Sequence, residues 1–148
     1  MTKSSEVRSS EDDRVALLLL DLGEGRRAAL PLAEVARLEE FEGIKIERSG
    51  GTEVVQYRDG ILPLVRLDRA IGLAPSMETP DPLSVVVHGS GDSLVGIVVD
   101  KVLDVVEETV IANQIGARAG VIGSTVVQDR VTDLVDLDAV VASAGGRY

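Results

Sequence analysis

Glu53-Val54-Val55-Gln56-Tyr57-Arg58-Asp59-Gly60-Ile61-Leu62-Pro63-Leu64-Val65-Arg66-Leu67 is two β-rich apolar runs parted by a short polar turn. Asp-Gly between such runs is a strong hairpin signal, because a tight turn needs backbone at positive φ. Pro63 has no N–H to give to a ladder, so the second strand meets an edge or a bulge at that point. Asp68 then suits the cap of a short helix through Ile71, stopped by Gly72. Short strands, tight turns and little helix set the pattern for the chain.

Working outward, Val15 to Leu20 is an apolar run closed by Asp21-Leu22-Gly23-Glu24-Gly25. It reads as a strand buried on both faces, and Gly23 and Gly25 mark a hairpin into a second strand, Arg26 to Leu30. Pro31 suits the first turn of a short helix through Leu32, Val35 and Leu38; Leu38 to Glu42 reads equally well as extended. Residues 74–82 hold three of the five prolines and divide the chain nearly in half. The second half repeats the β style. Leu83 to Val87 and Leu94 to Val99 flank a polar turn, His88 to Ser93, with an extension over Val102 to Val106. Val110 to Ile115 is short and extended. Val121 to Val127 and Arg130 to Val135 form a last hairpin about Gln128-Asp129. Asp136 or Asp138 caps a final helix, 137–144, ended by Gly145-Gly146. About ten short strands at regular spacing favour an all-β barrel or sandwich. Residues 1–13 read as a disordered lead-in, too polar to bury.

Composition narrows function. The chain has 148 residues, 45% hydrophobic, with Phe41, Tyr57 and Tyr148 as its aromatics. The core must therefore come from Val, Leu, Ile and Ala. A net charge of −10 and no aromatic series argue against nucleic acid, which wants clustered cations and stacking platforms. The absence of Cys excludes disulfides and thiolate metal sites, and a single His excludes multi-His centres. No apolar run approaches the roughly 20 residues of a membrane span, so no direct membrane insertion is expected. The charge divides unevenly: −3 over residues 1–74 and −7 over 75–148. That split is either ordinary solubility charge or a pair of complementary faces for head-to-tail association.

Three clusters are weighed as chemistry and set aside. His88, Ser90 and Asp92 hold the residue types of a triad, but adjacent turn residues rarely reach its geometry. Gly116, Gly120 and Gly123 lack the strand before and helix after that a phosphate loop needs. Asp100, Asp104, Glu107 and Glu108 lack the ligand spacing of a Ca²⁺ loop and read as a solvated acidic edge. Gly96 and Gly123, inside apolar strands, mark either bends or the close approach of another backbone.

Taken together, these stretches resemble the CheW-like domain family of bacterial chemotaxis. The hairpin Glu53–Leu67 matches the family's strand, Arg turn and Ile-x-Pro-x-x-x-Leu strand. Leu94-Val95-Gly96-Ile97-Val98-Val99-Asp100-Lys101-Val102 matches its apolar strand ending in Val-Asp-x-Val. Gly120 to Val126 and Leu134-Val135-Asp136-Leu137-Asp138 match its late Gly-rich strand and closing strand-to-helix segment. The resemblance spans about Val15 to Val141. It implies two SH3-like five-stranded β-barrels sharing a core, with a few short helices, within residues 14–144 and with lobes of roughly 14–74 and 82–136.

It also implies a non-catalytic scaffold with no cofactor and no metal. Such an adaptor couples the cytoplasmic tips of chemoreceptors to a histidine autokinase, and pairs with other CheW-like domains in rings. It is cytoplasmic and recruited to receptor arrays at the inner membrane. Arg58 matches the turn Arg and is expected at the receptor- or kinase-binding surface. Ile61, Leu62, Leu64 and Val65 would divide between core and a barrel–barrel interface, and Val98, Val99 and Val102 would flank the partner-binding groove. Leu30 to Phe41 and Ser49 to Tyr57 lean towards the kinase's own regulatory domain. The chain begins at Met1 and holds no phosphorylatable His domain or ATP-binding domain, so both a free adaptor and an excised regulatory domain fit. A small β-barrel hydrolase, and a CheW-like module serving a non-motility pathway, are the remaining readings.

Overall fold

The computed structural model describes residues 14–74, 81–91 and 93–145. The expected lead-in (1–13), the centre of the Pro-rich segment (75–80) and Asp92 lie outside them. Eleven strands, rather than ten, are formed by the described residues. They are β1 (Arg14–Asp21), β2 (Arg27–Pro31), β3 (Arg37–Phe41), β4 (Glu47–Ser49), β5 (Thr52–Tyr57), β6 (Gly60–Arg66), β7 (Leu83–Ser90), β8 (Ser93–Val99), β9 (Lys101–Thr109), β10 (Val121–Val127) and β11 (Arg130–Val135). Short 3₁₀ turns cover Leu32–Glu34 and Gly43–Lys45, and α-helices cover Leu67–Ala70 and Leu137–Gly145.

The strands form two sheets, ordered β10-β11-β2-β1-β9 and β3-β7-β8-β6-β5-β4. Neither is closed by a continuous ladder. In each, the chain itself links the two edges. Residues 42–46 lead from β3 to β4. The segment after β9 returns to β10 as an isolated bridge, with Asn113 and Ser124 exchanging backbone hydrogen bonds of 2.7 and 2.8 Å.

The expected lobes 14–74 and 82–136 are corrected here, because each sheet takes strands from both halves of the chain. β1 and β2 join β9–β11, while β7 and β8 join β3–β6. The halves are repeats that exchange strands. Replacing β10, β11, β2, β1 and β9 by β5, β6, β8, β7 and β3 converts one order into the other. Leu64-Val65-Arg66-Leu67-Asp68 recurs seventy residues later as Leu134-Val135-Asp136-Leu137-Asp138. Parallel pairing recurs as well: β6 runs beside β8 and β11 beside β2. The Pro-rich segment separates two repeats, and the barrels are assembled between them.

Three apolar clusters follow. Strand side chains alternate between faces, so a strand buried on both feeds two cores. Leu18 and Leu20 of β1 enter a central cluster between the sheets, with Leu30, Val65, Ile97 and Leu137. Leu17 and Leu19 enter the five-stranded lobe with Val127 and Leu134. Leu62, Leu64 and Val98 fill the six-stranded lobe with Val55, Val85 and Val87. A shared core with one pocket of packing per barrel is the architecture that the aliphatic composition supports.

Local departures have local causes. Pro63 faces β5 opposite Val54, and the ladder to β8 begins only at Leu64, so the missing N–H costs no bond there. The hairpin turn sits one residue earlier than Asp-Gly implies: Arg58 and Asp59 hold φ of 50° and 65°, and Gly60 opens β6. Gln128 and Asp129, at 51° and 63°, repeat that mirror-type turn. Asp68 lies inside its helix rather than capping it. Asp136 is the residue that caps the last helix, accepting from Ala139 N at 3.2 Å. His88 is a strand residue of β7 and not part of a turn. Gly96 sits in an unbroken ladder and is no bulge: a Cβ there would come within 2.8 Å of Val85 Cγ1 and 2.9 Å of Leu64 Cδ2, so the six-stranded lobe packs on its backbone.

Candidate functional site

The β5–β6 hairpin forms one end of the six-stranded lobe and brings Arg58 and Ile61 to the surface. Ile61 is 69% exposed beside the turn. The Arg58 guanidinium lies 5.5 Å from the centre of the Tyr57 ring. Tyr57 meets Phe41 edge-on, with ring centres 6.0 Å apart at 78°. Its hydroxyl donates to Glu39 Oε2 at 2.7 Å. Burial, reinforced by that carboxylate, raises the Tyr57 pKa above its ordinary value. A cation, two rings and a carboxylate from β3, β5 and the turn thus form one fixed cluster. An open depression beside it is lined by Glu47, Arg48, Gln56, Tyr57, Arg58 and Ile61, among others.

The base of the hairpin is held by ion pairing. Arg66 donates to both oxygens of Glu53, at 2.9 and 3.1 Å, and Arg48 stands 3.9 Å from the same carboxylate. The Arg66 hydrogen bond lowers the Glu53 pKa despite partial burial.

Five of the residues expected to divide between core and partner-binding surface lie in the core of this chain. Leu62, Leu64, Val65, Val98 and Val99 are all buried, because their strands lie between covered faces. Val102 is half-buried against the central cluster. It lines a second open depression on the seam between the sheets, with Leu38, Glu39 and Glu40 of β3, Ser84 and Val85 of β7, and Lys101. Arg58 and Ile61 therefore belong to one surface and Val102 to another.

His88, Ser90 and Asp92 make no triad with described geometry. Both His88 ring nitrogens are engaged elsewhere, by Glu34 and Asp138. Gly120 and Gly123 are tightly packed: a Cβ at Gly120 would come within 3.1 Å of Ile71 Cγ2 and Val140 Cγ2, and one at Gly123 would collide with the Asn113 carbonyl. Among the described residues no group of three or more His, Asp or Glu is placed to hold a metal ion. No helix among them is long and apolar enough to cross a membrane.

Two lobes of one strand order, exchanged between repeats and packed on a shared aliphatic core, can be compared with known proteins. The model of the CheW-like domain matches residues 16–145. The chain belongs to the CheW-like domain family. A curated relative, the sensor histidine kinase CheAY of Helicobacter pylori, is 29% identical over 121 residues; these cover 78% of this chain and 15% of that one. This CheW-like chain thus spans about a seventh of that relative's length. Among solved structures, the scaffolding protein TtCheW of Thermoanaerobacter tengcongensis superposes with a TM-score of 0.69. The match covers 83% of this chain and 84% of that one at 17% identity, a likeness of fold.

The sequence reading missed the other end of the CheW-like domain. Val126 and Val131 stand directly opposite each other on β10 and β11, 62% and 71% exposed. Ile122, Ile111 and Ile115 are exposed on the same lobe. Val131 occupies the repeat position of Ile61. The signal was the seventy-residue recurrence, which carries any residue picked on one hairpin to its partner on the other.

Proposed function

We propose that the chain is a non-catalytic coupling module of a bacterial chemosensory system, joining chemoreceptor tips to a histidine autokinase through protein contacts. One observation carries this reading: a CheW-like domain whose two quasi-equivalent hairpins each present an outward aliphatic residue, Ile61 and Val131, while the strands behind them are fully packed. Exposed aliphatic residues on rigid hairpins suit interfaces between domains. Ile61 with Arg58 serves one partner domain and Val126 with Val131 another, so that several CheW-like domains join in a ring. The seam depression at Leu38, Lys101 and Val102 takes the receptor. The module works in the cytoplasm, at receptor arrays on the inner membrane. Its mechanism is allosteric: receptor state reaches the kinase as altered contacts, with no bond made or broken.

The experiment is co-sedimentation of the full chain with receptor-bearing membranes, with and without the kinase. Binding to both supports the reading; binding to neither overturns it. The match to part of a sensor histidine kinase favours a second reading, in which this is the regulatory domain of such a kinase. Restoration of receptor control when the chain is added to a kinase lacking its own CheW-like domain would favour that reading.

A further inference from the structure

His88 lies on the face of β7 that turns towards the central core, opposite Val95 of β8. Its side chain is 16% exposed. Nδ1 is 2.8 Å from the Glu34 carbonyl oxygen, in the 3₁₀ turn between β2 and β3. Nε2 is 3.0 Å from Asp138 Oδ1, in the first turn of the helix Leu137–Gly145 that follows β11. One ring thus bridges the six-stranded sheet, the crossing from β2 to β3, and the C-terminal helix.

Neither partner has a proton to offer. A carbonyl oxygen and an ionised carboxylate only accept, while neutral imidazole carries one N–H. The neutral ring satisfies one of the two contacts and points a lone pair at the other. Imidazolium donates to both.

We propose that His88 is a proton-operated clasp that holds the C-terminal helix to the seam between the two sheets, closed as imidazolium and released at Asp138 when the ring loses a proton. The carboxylates acting on it are Asp138 on the helix and Glu34 on the 3₁₀ turn. Arg37 of β3 pairs with Val87, one residue away, and so lies on the opposite face of the sheet. β8 offers only Val95. Burial disfavours the charged ring, but the two acceptors outweigh it and the His88 pKa is raised above 6.5. A raised pKa means the contribution is complete below the ordinary value and is lost as pH rises through the folded one. Release therefore falls on the alkaline side of 6.5. The Nε2 proton leaves, and Nδ1–H stays on Glu34.

His88 is the single histidine of the chain, so ring ¹⁵N spectra of the untagged protein report it directly. The expected result is a midpoint above 6.5, with the Nδ1–H tautomer left at high pH. Asp138→Asn lowers the midpoint by about 0.5–1 pH unit. Amide exchange in the helix, corrected for its intrinsic pH dependence, quickens across the same midpoint. In His88→Leu it follows no such step; Leu suits the site because the matching position of the other repeat is the buried Leu20. A midpoint at or below 6.5, a midpoint indifferent to Asp138→Asn, or helix exchange that ignores the titration would each overturn the clasp.

Discussion

At the tip of the six-stranded lobe, hairpin β5–β6 carries Arg58 over Tyr57, Tyr57 against Phe41, and a bidentate Arg66–Glu53 pair at its base. At the tip of the five-stranded lobe, hairpin β10–β11 has the same turn geometry and the same place in the strand order. There the outward residues are Val126 and Val131, and the ion pair is a single contact, Arg118–Asp133 at 3.1 Å. The inward residues agree: Leu64 and Leu134, Val65 and Val135, Leu67 and Leu137 are all buried. The shared fold is maintained by positions that face the cores. The outward positions are unconstrained by it, and one repeat presents a charged aromatic cluster where the other presents bare aliphatic surface. Surfaces this different suit different partners.

The sharpest break of the comparison is at the two strand glycines. Both lobes need a residue without Cβ, but against different neighbours. At Gly123 the obstacle is the Asn113 backbone, which bridges β10 and completes the ring of the five-stranded lobe. At Gly96 it is the methyl groups of Val85, Leu64 and Leu62, side chains rather than backbone. Gly123→Ala is expected to cost about 3 kcal/mol, since the bridge and its two hydrogen bonds must shift. Gly96→Ala should cost about 1–2 kcal/mol. Urea unfolding of both variants checks this, and an equal or larger loss for Gly96→Ala would mean that the bridge does not hold the lobe together.

Much of this fold was legible in the sequence because turns and two-sided burial leave local marks. Gly23 and Gly25, the Val15–Leu20 run and the last hairpin stand where the residues place them. What was not legible is which strand neighbours which. Exchange of strands between repeats is a long-range event. Nothing in residues 27–41 says that β2 and the next strand part company into different sheets. For the same reason Leu64, Val98 and Val99 read as interface or core alike, until the second face of each strand was seen to be covered. His88 shows the opposite failure. A polar Gly-rich stretch reads as turn, yet His88 pairs with Val95 in the β7–β8 ladder, and its side-chain partner Asp138 lies fifty residues on.

The next contrast is between the ion pairs. Glu53 and Arg66 side chains are about one-fifth exposed, against 26% and 34% for Asp133 and Arg118. Bidentate geometry and better shielding make the first pair the stronger. Glu53→Gln is expected to destabilise by about 1.5 kcal/mol, and Asp133→Asn by about 0.5 kcal/mol. The Glu53 pKa is lowered, so its contribution is complete above 4.5 and fades as pH falls through the folded value. Stability measured between pH 7 and pH 3 should therefore fall less steeply in Glu53→Gln than in the parent chain. Parallel curves would remove Glu53 from the account of acid sensitivity.

The smallest effect on folding and the most telling one for function belongs to Ile61 and Val131. Both are outward and mostly exposed, so Ile61→Asp and Val131→Asp should each change stability by no more than about 0.5 kcal/mol. A carboxylate buried without a partner in an interface, by contrast, costs at least about 1.4 kcal/mol, a tenfold loss of affinity. If the two hairpins meet different partners, the variants separate cleanly. One loses a contact that the other keeps, and the doubly substituted chain loses both. Titration of each variant against the kinase, and against a second CheW-like domain, reads this out. Equal weakening towards every partner would show that the hairpins act as one surface. Full affinity in both would place the interfaces elsewhere, with the seam at Leu38, Lys101 and Val102 as the next surface to substitute.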